Sequence, residues 1–211
     1  MKKVVVLGKG ELAIKVCEWF LASNEYVLSY VVPVKPEPTW TSSLSQWALE
    51  QKIPVIESGD YRELTFNPDL AMSVFYDKII KKDFIERCGK ILNLHNSPLP
   101  KYRGVSPINW ALKNGESFHG VTIHEITPGI DDGPIVGQIK YSIYPEIDEV
   151  KDVYARALKY AYILFEQTAP LYDMIEATPQ DESLATYYDS SMNVLLGERR
   201  YFTRKETGAR R

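Results

Sequence analysis

Cysteine is scarce: Cys17 and Cys88 are the two thiols of a 211-residue chain. Sites so far apart give neither the paired spacing of a metal motif nor a disulfide framework. Histidine is nearly as scarce, with His95, His119 and His124 alone, and no Cys/His cluster forms, so no metal is expected. Neither sign of charge is in excess. Lys and Arg number 25 against 28 Asp and Glu, a net charge of -3, which lacks the electrostatic footprint of a nucleic-acid binder. No apolar run approaches the length of a membrane span. The opening MKKVVVLGKGELA has a signal peptide's basic start but neither its long apolar stretch nor its cleavage site. The expectation is a cytoplasmic protein, in a reducing compartment, with no nucleic-acid or membrane partner.

Hydrophobic residues make up 45% of the chain, enough for a substantial core. The length suggests one α/β domain over residues 1–180, then a small C-terminal appendage over 181–211. Lys3–Leu7 is a β-branched run without polar alternation, the pattern of a strand buried on both faces. Leu12, Ala13, Val16, Cys17 and Phe20 then recur at helical spacing, and Tyr26–Val32 is a second strand. Pro54–Ile56 reads as a short third strand, Leu70–Phe75 as a fourth and Lys90–Leu94 as a fifth, with a helix over 79–88. Ser106-Pro107 predicts a helix start with a hydroxyl cap, and Gly115 its stop. Residues 120–126 and 134–143 alternate as a half-exposed antiparallel pair would, and a long amphipathic helix over 148–176 is interrupted at Pro170. The basic end, Arg199, Arg200, Arg204, Lys205, Arg210 and Arg211, reads as a solvated tail or a phosphate-binding patch.

Gly8-Lys9-Gly10, between the first strand and helix, has the form of a dinucleotide turn. The second strand should then end in an acidic residue for a ribose. It ends instead in Val32-Pro33, with Glu37 only after two prolines, so NAD is not expected. A tight turn that needs glycine, or a turn that meets the phosphate of another ligand, remains open.

His95 lies directly after the Lys90–Leu94 strand, and its spacing of two from Asn93 puts both on one side. An amide and an imidazole facing one spot can both donate to a single oxygen, as a developing oxyanion requires. A histidine closing a strand end is the plainer alternative. Asp131 and Asp132 sit in a Gly/Pro-framed turn between two strands, and local hydrogen bonding alone accounts for such residues.

Asn93-x-His95-x-Ser97-x-Leu99-Pro100-x-x-Arg103-Gly104 resembles the signature loop of the folate-dependent formyltransferases. Gly120-Val121-Thr122, followed by Gly129-Ile130-Asp131-x-Gly133, resembles their second signature. The resemblance implies Asn93, His95 and Asp131 as the catalytic set and 10-formyltetrahydrofolate as the formyl donor. It also implies a Rossmann-like α/β core that binds no NAD, with a mostly parallel sheet and antiparallel strands after the catalytic loop. The folate would lie against Phe75, Tyr76, Ile79 and Ile80 and the turn bearing Asp131 and Asp132.

Within the family the chain is most similar to the sugar-nucleotide N-formyltransferases, through Val32-Pro33, Ile53–Ile56, Tyr102–Ala111 and Ala185–Tyr188. The acceptor implied is a dTDP-linked amino-dideoxysugar, for surface polysaccharides such as O-antigen. The rivals are glycinamide ribonucleotide, methionyl-tRNA, or a folate- or sugar-nucleotide-binding module without activity. Gly8, Lys9, Gly10, Ser97 and Arg103 are candidates to hold the sugar nucleotide, Lys9 and Arg103 at its pyrophosphate. Trp40, Tyr187 and Tyr188 are candidates to stack on base or sugar. A homodimer is also implied, with Tyr187, Tyr188, Tyr201 and Phe202 at its interface.

Overall fold

The first apolar run divides its side chains between two cores. In a computed structural model, which describes residues 1–197, Val4 and Val6 face one core while Val5 and Leu7 face another. This is the alternation of a strand with a packed layer on either face. The strand, β1 (Lys2–Gly8), is followed by α1 (Gly10–Ala22), β2 (Tyr26–Pro33), α2 (Leu44–Glu50), β3 (Leu70–Val74), α3 (Lys82–Arg87) and β4 (Lys90–His95). Then come β5 (Arg103–Gly104), α4 (Pro107–Lys113), β6 (Phe118–Glu125), β7 (Ile135–Ser142), α5 (Val150–Thr168) and β8 (Tyr187–Tyr188).

The main sheet has the order β2-β1-β3-β4-β6-β7. Its first four members run parallel, and β6 and β7 are antiparallel additions. Helices α1, α4 and α5 cover one face, with Phe20, Trp110 and Phe165 in that core. Tyr61, Leu64 and Phe84 cover the other. In the parallel part, the carboxyl ends of the strands gather Gly8, Val74 and His95 at one edge, where open α/β sheets place their ligands.

Four local expectations are corrected. Pro54–Ile56 forms no strand, since a single bridge from Val55 to Val31 is all that joins it to the sheet. The helix expected over 79–88 is only Lys82–Arg87. The Tyr61 hydroxyl donates to the Ile79 carbonyl and accepts from the Lys81 amide, and so takes up the groups a longer helix would have used. Phe75 lies beyond β3 with φ of +56°, which ends the strand one residue early. Ser106 precedes α4, but with φ of +54° its hydroxyl makes no cap bond. The long helix does break at its proline: α5 ends at Thr168 and a 3-10 turn covers Ala169–Leu171.

Residues 181–197 are tied to the sheet domain. β8 pairs in parallel with β5, and the Tyr188 ring stacks on Trp110 at 4.3 Å and on Tyr102 at 5.7 Å. The tie needs Gly104, where a Cβ would come within 2.1 Å of the Tyr188 carbonyl oxygen. The basic end, with Tyr201 and Phe202, lies outside the described residues.

Candidate active site

β4 ends in Asn93-Leu94-His95, and β6 runs antiparallel beside it. The ladder sets Asn93 opposite His124. The turn after β6 then brings Asp131 back over the end of β4, because Gly133 lies so close to the Glu125 carbonyl that no side chain would fit there. Four groups therefore meet, drawn from segments up to 38 residues apart.

Asp131 is the hub. Its Oδ2 accepts from the Gly104 amide at 2.9 Å and lies 3.4 Å from Nδ1 of His95. Its Oδ1 lies 3.4 Å from both Nε2 of His124 and the Asn93 amide nitrogen. Burial alone would push this carboxyl up. The charge of His95, with the Gly104 hydrogen bond, outweighs burial and holds it well below the usual carboxylate range. Asp131 is thus an anion throughout any working pH. Its backbone is left-handed, with φ of +52°, which an aspartate tolerates better than most residues.

His95 is gripped from both sides. Nε2 donates to the Tyr102 carbonyl at 2.9 Å while Nδ1 faces Asp131. His124 donates from Nδ1 to its neighbour's carbonyl, Glu125, at 2.9 Å, which leaves Nε2 bare to accept from Asn93 at 3.1 Å. Asn93, His124 and Asp131 line an open cleft of about 340 Å³, whereas His95 stands behind Asp131.

The cleft is also lined by Tyr76, Asp77, Lys78, Ile79, Ile80, Ile126, Thr127, Gly129 and Ile130, and by Val105, Tyr187, Asp189 and Ser190. Ile79 is 58% exposed there, an apolar surface open to a flat ring. Of the residues read for the folate, Tyr76, Ile79 and Ile80 line the cleft. Phe75 does not, because its ring turns back against Tyr154. Asp132 takes the Thr127 hydroxyl bond and so closes its own turn.

The substrate candidates divide. Tyr187 lines the cleft, but Tyr188 is taken up in its stack on Trp110. Ser97 is wholly buried and donates to the Lys101 carbonyl, stapling the loop. Arg103 is corrected: its guanidinium is buried and bound to Gln180 and Glu182, so it is not offered to a pyrophosphate. Gly8, Lys9 and Gly10 sit at the end of β1 outside the cleft lining, with Gly8 held within 2.1 Å of the Val74 carbonyl if given a Cβ. Trp40, 65% exposed, stands edge-on to Tyr154. Glu37 binds the amides of Leu44 and Ser45 and the Ser43 hydroxyl, at the start of α2, which commits its carboxylate. Among the described residues no three His, Cys, Asp or Glu are grouped to hold a metal, and no helix is long and apolar enough to cross a membrane.

His124 and Gln180 were not singled out in the sequence. The signal for His124 was its place opposite Asn93, available once β4 and β6 are paired. Gln180 carries no comparable signal.

Residues 56–168 match the formyl transferase family model. The chain belongs to the formyl transferase family. Among its relatives, the methionyl-tRNA formyltransferase of Pseudothermotoga lettingae is 34% identical over 194 residues, which is 88% of this chain and 63% of that protein. The chain spans less than two thirds of the length of the curated relatives it matches. Two solved structures share the fold at TM-score 0.79 and 27% identity. One is WlaRD, a sugar 3N-formyl transferase, in the presence of dTDP and 5-N-formyl-THF, with 90% of this chain and 70% of that one covered. The other is the N-formyltransferase from Helicobacter canadensis in complex with folinic acid and dTDP-3-aminofucose, with 90% and 72% covered.

Proposed function

We propose that this formyltransferase moves the formyl group of 10-formyltetrahydrofolate to the amine of a dTDP-linked amino-dideoxysugar. It works in the cytoplasm, as a homodimer, on a route to surface polysaccharide. The observation that carries the reading is the cleft itself, in which an amide and a fixed anion face a wall of Ile79, Ile80 and Tyr76. That wall suits a pterin, and the backbone of the Asp131 turn supplies polar groups for its edge. The sugar acceptor is supported by the likeness to the two sugar-modifying structures and by the Tyr187 ring in the cleft lining.

The chemistry follows from the bonds. The acceptor nitrogen attacks the formyl carbon, and the oxygen gains negative charge. Asn93 has one strong donor bond to His124 and a weaker one, 3.4 Å, to Asp131. The weaker bond is the one a formyl oxygen replaces, so that amide hydrogen becomes the oxyanion donor. Asp131, held as an anion, stabilises the positive charge that develops on the attacking nitrogen. Its proton passes to N10 as the C–N10 bond breaks, so that tetrahydrofolate leaves neutral at that atom. His95, behind Asp131, fixes the carboxylate and balances its charge.

The test is a formyl-transfer assay with 10-formyltetrahydrofolate and a panel of dTDP-amino sugars. Glycinamide ribonucleotide, methionyl-tRNA and a no-acceptor control are run beside them. Turnover with a dTDP-amino sugar at least about tenfold above every other arm is expected. The 34% identity to a methionyl-tRNA enzyme favours the second reading, and preferential formylation of methionyl-tRNA would replace the first. Binding of both ligands without turnover would reduce the protein to a binding module.

A further inference from the structure

Asp131 is a hub whose backbone is held from an unexpected direction. Its carbonyl accepts from Nε2 of Gln180 at 2.8 Å, and the same nitrogen donates to the Gly133 carbonyl at 2.7 Å. One amide thus brackets the turn on both sides of Asp132. The other end of that amide is committed too. Oε1 of Gln180 accepts from Nε and one terminal nitrogen of Arg103, at 3.2 and 2.8 Å. A guanidinium can only donate, so Arg103 dictates which end of the Gln180 amide faces it, and the NH₂ end must face the two carbonyls. Glu182 closes on the same guanidinium at 2.6 and 2.9 Å. The neighbouring Gly104 supplies the amide that binds the Asp131 carboxylate.

We propose that Gln180, oriented by Arg103, is a positioning residue that sets the Asp131 carboxylate in the formyl-transfer site. This rests on the functional reading given above. A left-handed aspartate in a turn costs energy to hold and stays there only where its surroundings over-determine it. Here the side chain is fixed by Gly104 and the carbonyl by Gln180. Without Gln180 the turn loses both carbonyl bonds, and the carboxylate, held then by its side-chain contacts alone, shifts against Asn93 and the substrate amine. A displacement of about 1 Å at a reacting group can cost on the order of a hundredfold in rate.

Two variants separate this role from simple stability. Gln180→Ala removes the amide. Gln180→Glu keeps an oxygen for Arg103 but puts a second acceptor against the Asp131 and Gly133 carbonyls, so the Arg103 contact stays while the turn is repelled. In the full chain, each is expected to lower kcat about 10- to 100-fold while the acceptor KM moves less than about threefold. In an Asp131→Asn background, Gln180→Ala should cost less than about twofold more, because the charge it positions is gone. A third readout needs no turnover. The amide proton of Gly104, bonded to Asp131, should shift upfield in both Gln180 variants, as it should in Asp131→Asn, in a proton–nitrogen NMR spectrum. Wild-type kcat in Gln180→Glu, full multiplicative loss in the Asp131→Asn background, or an unmoved Gly104 resonance would each overturn the proposal. Absence of formyl transfer by the wild type sinks the functional reading instead, and the Gly104 resonance still decides whether Gln180 holds Asp131.

Discussion

Nε2 of His124 lies 3.1 Å from the amide nitrogen of Asn93, its partner across the β4–β6 ladder. The bare nitrogen of one residue therefore orients the amide of the other and keeps its hydrogens, not its oxygen, toward the cleft. His124→Phe keeps a ring of similar shape and removes the acceptor. Steady-state kinetics should show kcat lowered about tenfold, the equivalent of about 1.4 kcal/mol, with both KM values little changed. A variant with unaltered kcat would leave His124 as packing.

Asp131→Asn preserves shape and tolerates the left-handed backbone, but removes the charge that faces the attacking nitrogen. Turnover should fall on the order of a hundred- to a thousandfold, with the thermal midpoint nearly unchanged. His95→Asn should fall in the same range, since the carboxylate loses the group that fixes Oδ2. Near-wild-type rates for either variant would remove that residue from the site.

His119 makes a pH prediction of another kind. It is wholly buried, and burial lowers its pKa from 6.5 to about 4 against the one carbonyl bond it makes to Asn96. Above pH 6.5 both folded and unfolded chains carry it neutral. As the pH falls from 6.5 toward 4, the unfolded chain takes up a proton that the folded one refuses, so stability declines, and below 4 the loss levels off. The full loss is about 3 kcal/mol. Urea unfolding at stepped pH should show this decline, and His119→Phe should flatten it between those values.

Gly104 tests the tie between β5 and β8. Gly104→Ala brings a Cβ within 2.1 Å of the Tyr188 carbonyl at a φ of +91°. The strain and the lost pairing together should destabilise the protein by about 2–4 kcal/mol, read as a lower thermal midpoint. A midpoint within about 1 °C of the wild type would mean that β8 contributes little.

Much of the fold was legible because β1 carries an unbroken apolar run and α1 carries apolar residues at helical spacing. Pro54–Ile56 misled because Val55 and Ile56 carry β character without the neighbours needed to pair. The helix over 79–88 misled because a single tyrosine, Tyr61, intercepts its first groups from a distance of 18 to 20 residues. In the site, Asn93 and His95 were legible from their spacing on one strand, and Asp131 only through the family resemblance. The destination of Arg103 was not legible, since its partners lie 77 and 79 positions away. A basic residue beside a signature loop suggests an anion, and nothing local reveals that the anion belongs to the same chain.

The Arg103–Gln180 link also dictates an order of assembly. During synthesis, the sheet strands and Asn93, His95 and Asp131 leave the ribosome well before Gln180 does. A chain halted after α5 would hold its three named residues and its complete main sheet, yet the turn carrying its carboxylate would lack its outer brace. The bracing of the Asp131 turn therefore waits on residue 180, after every strand of the main sheet has been made.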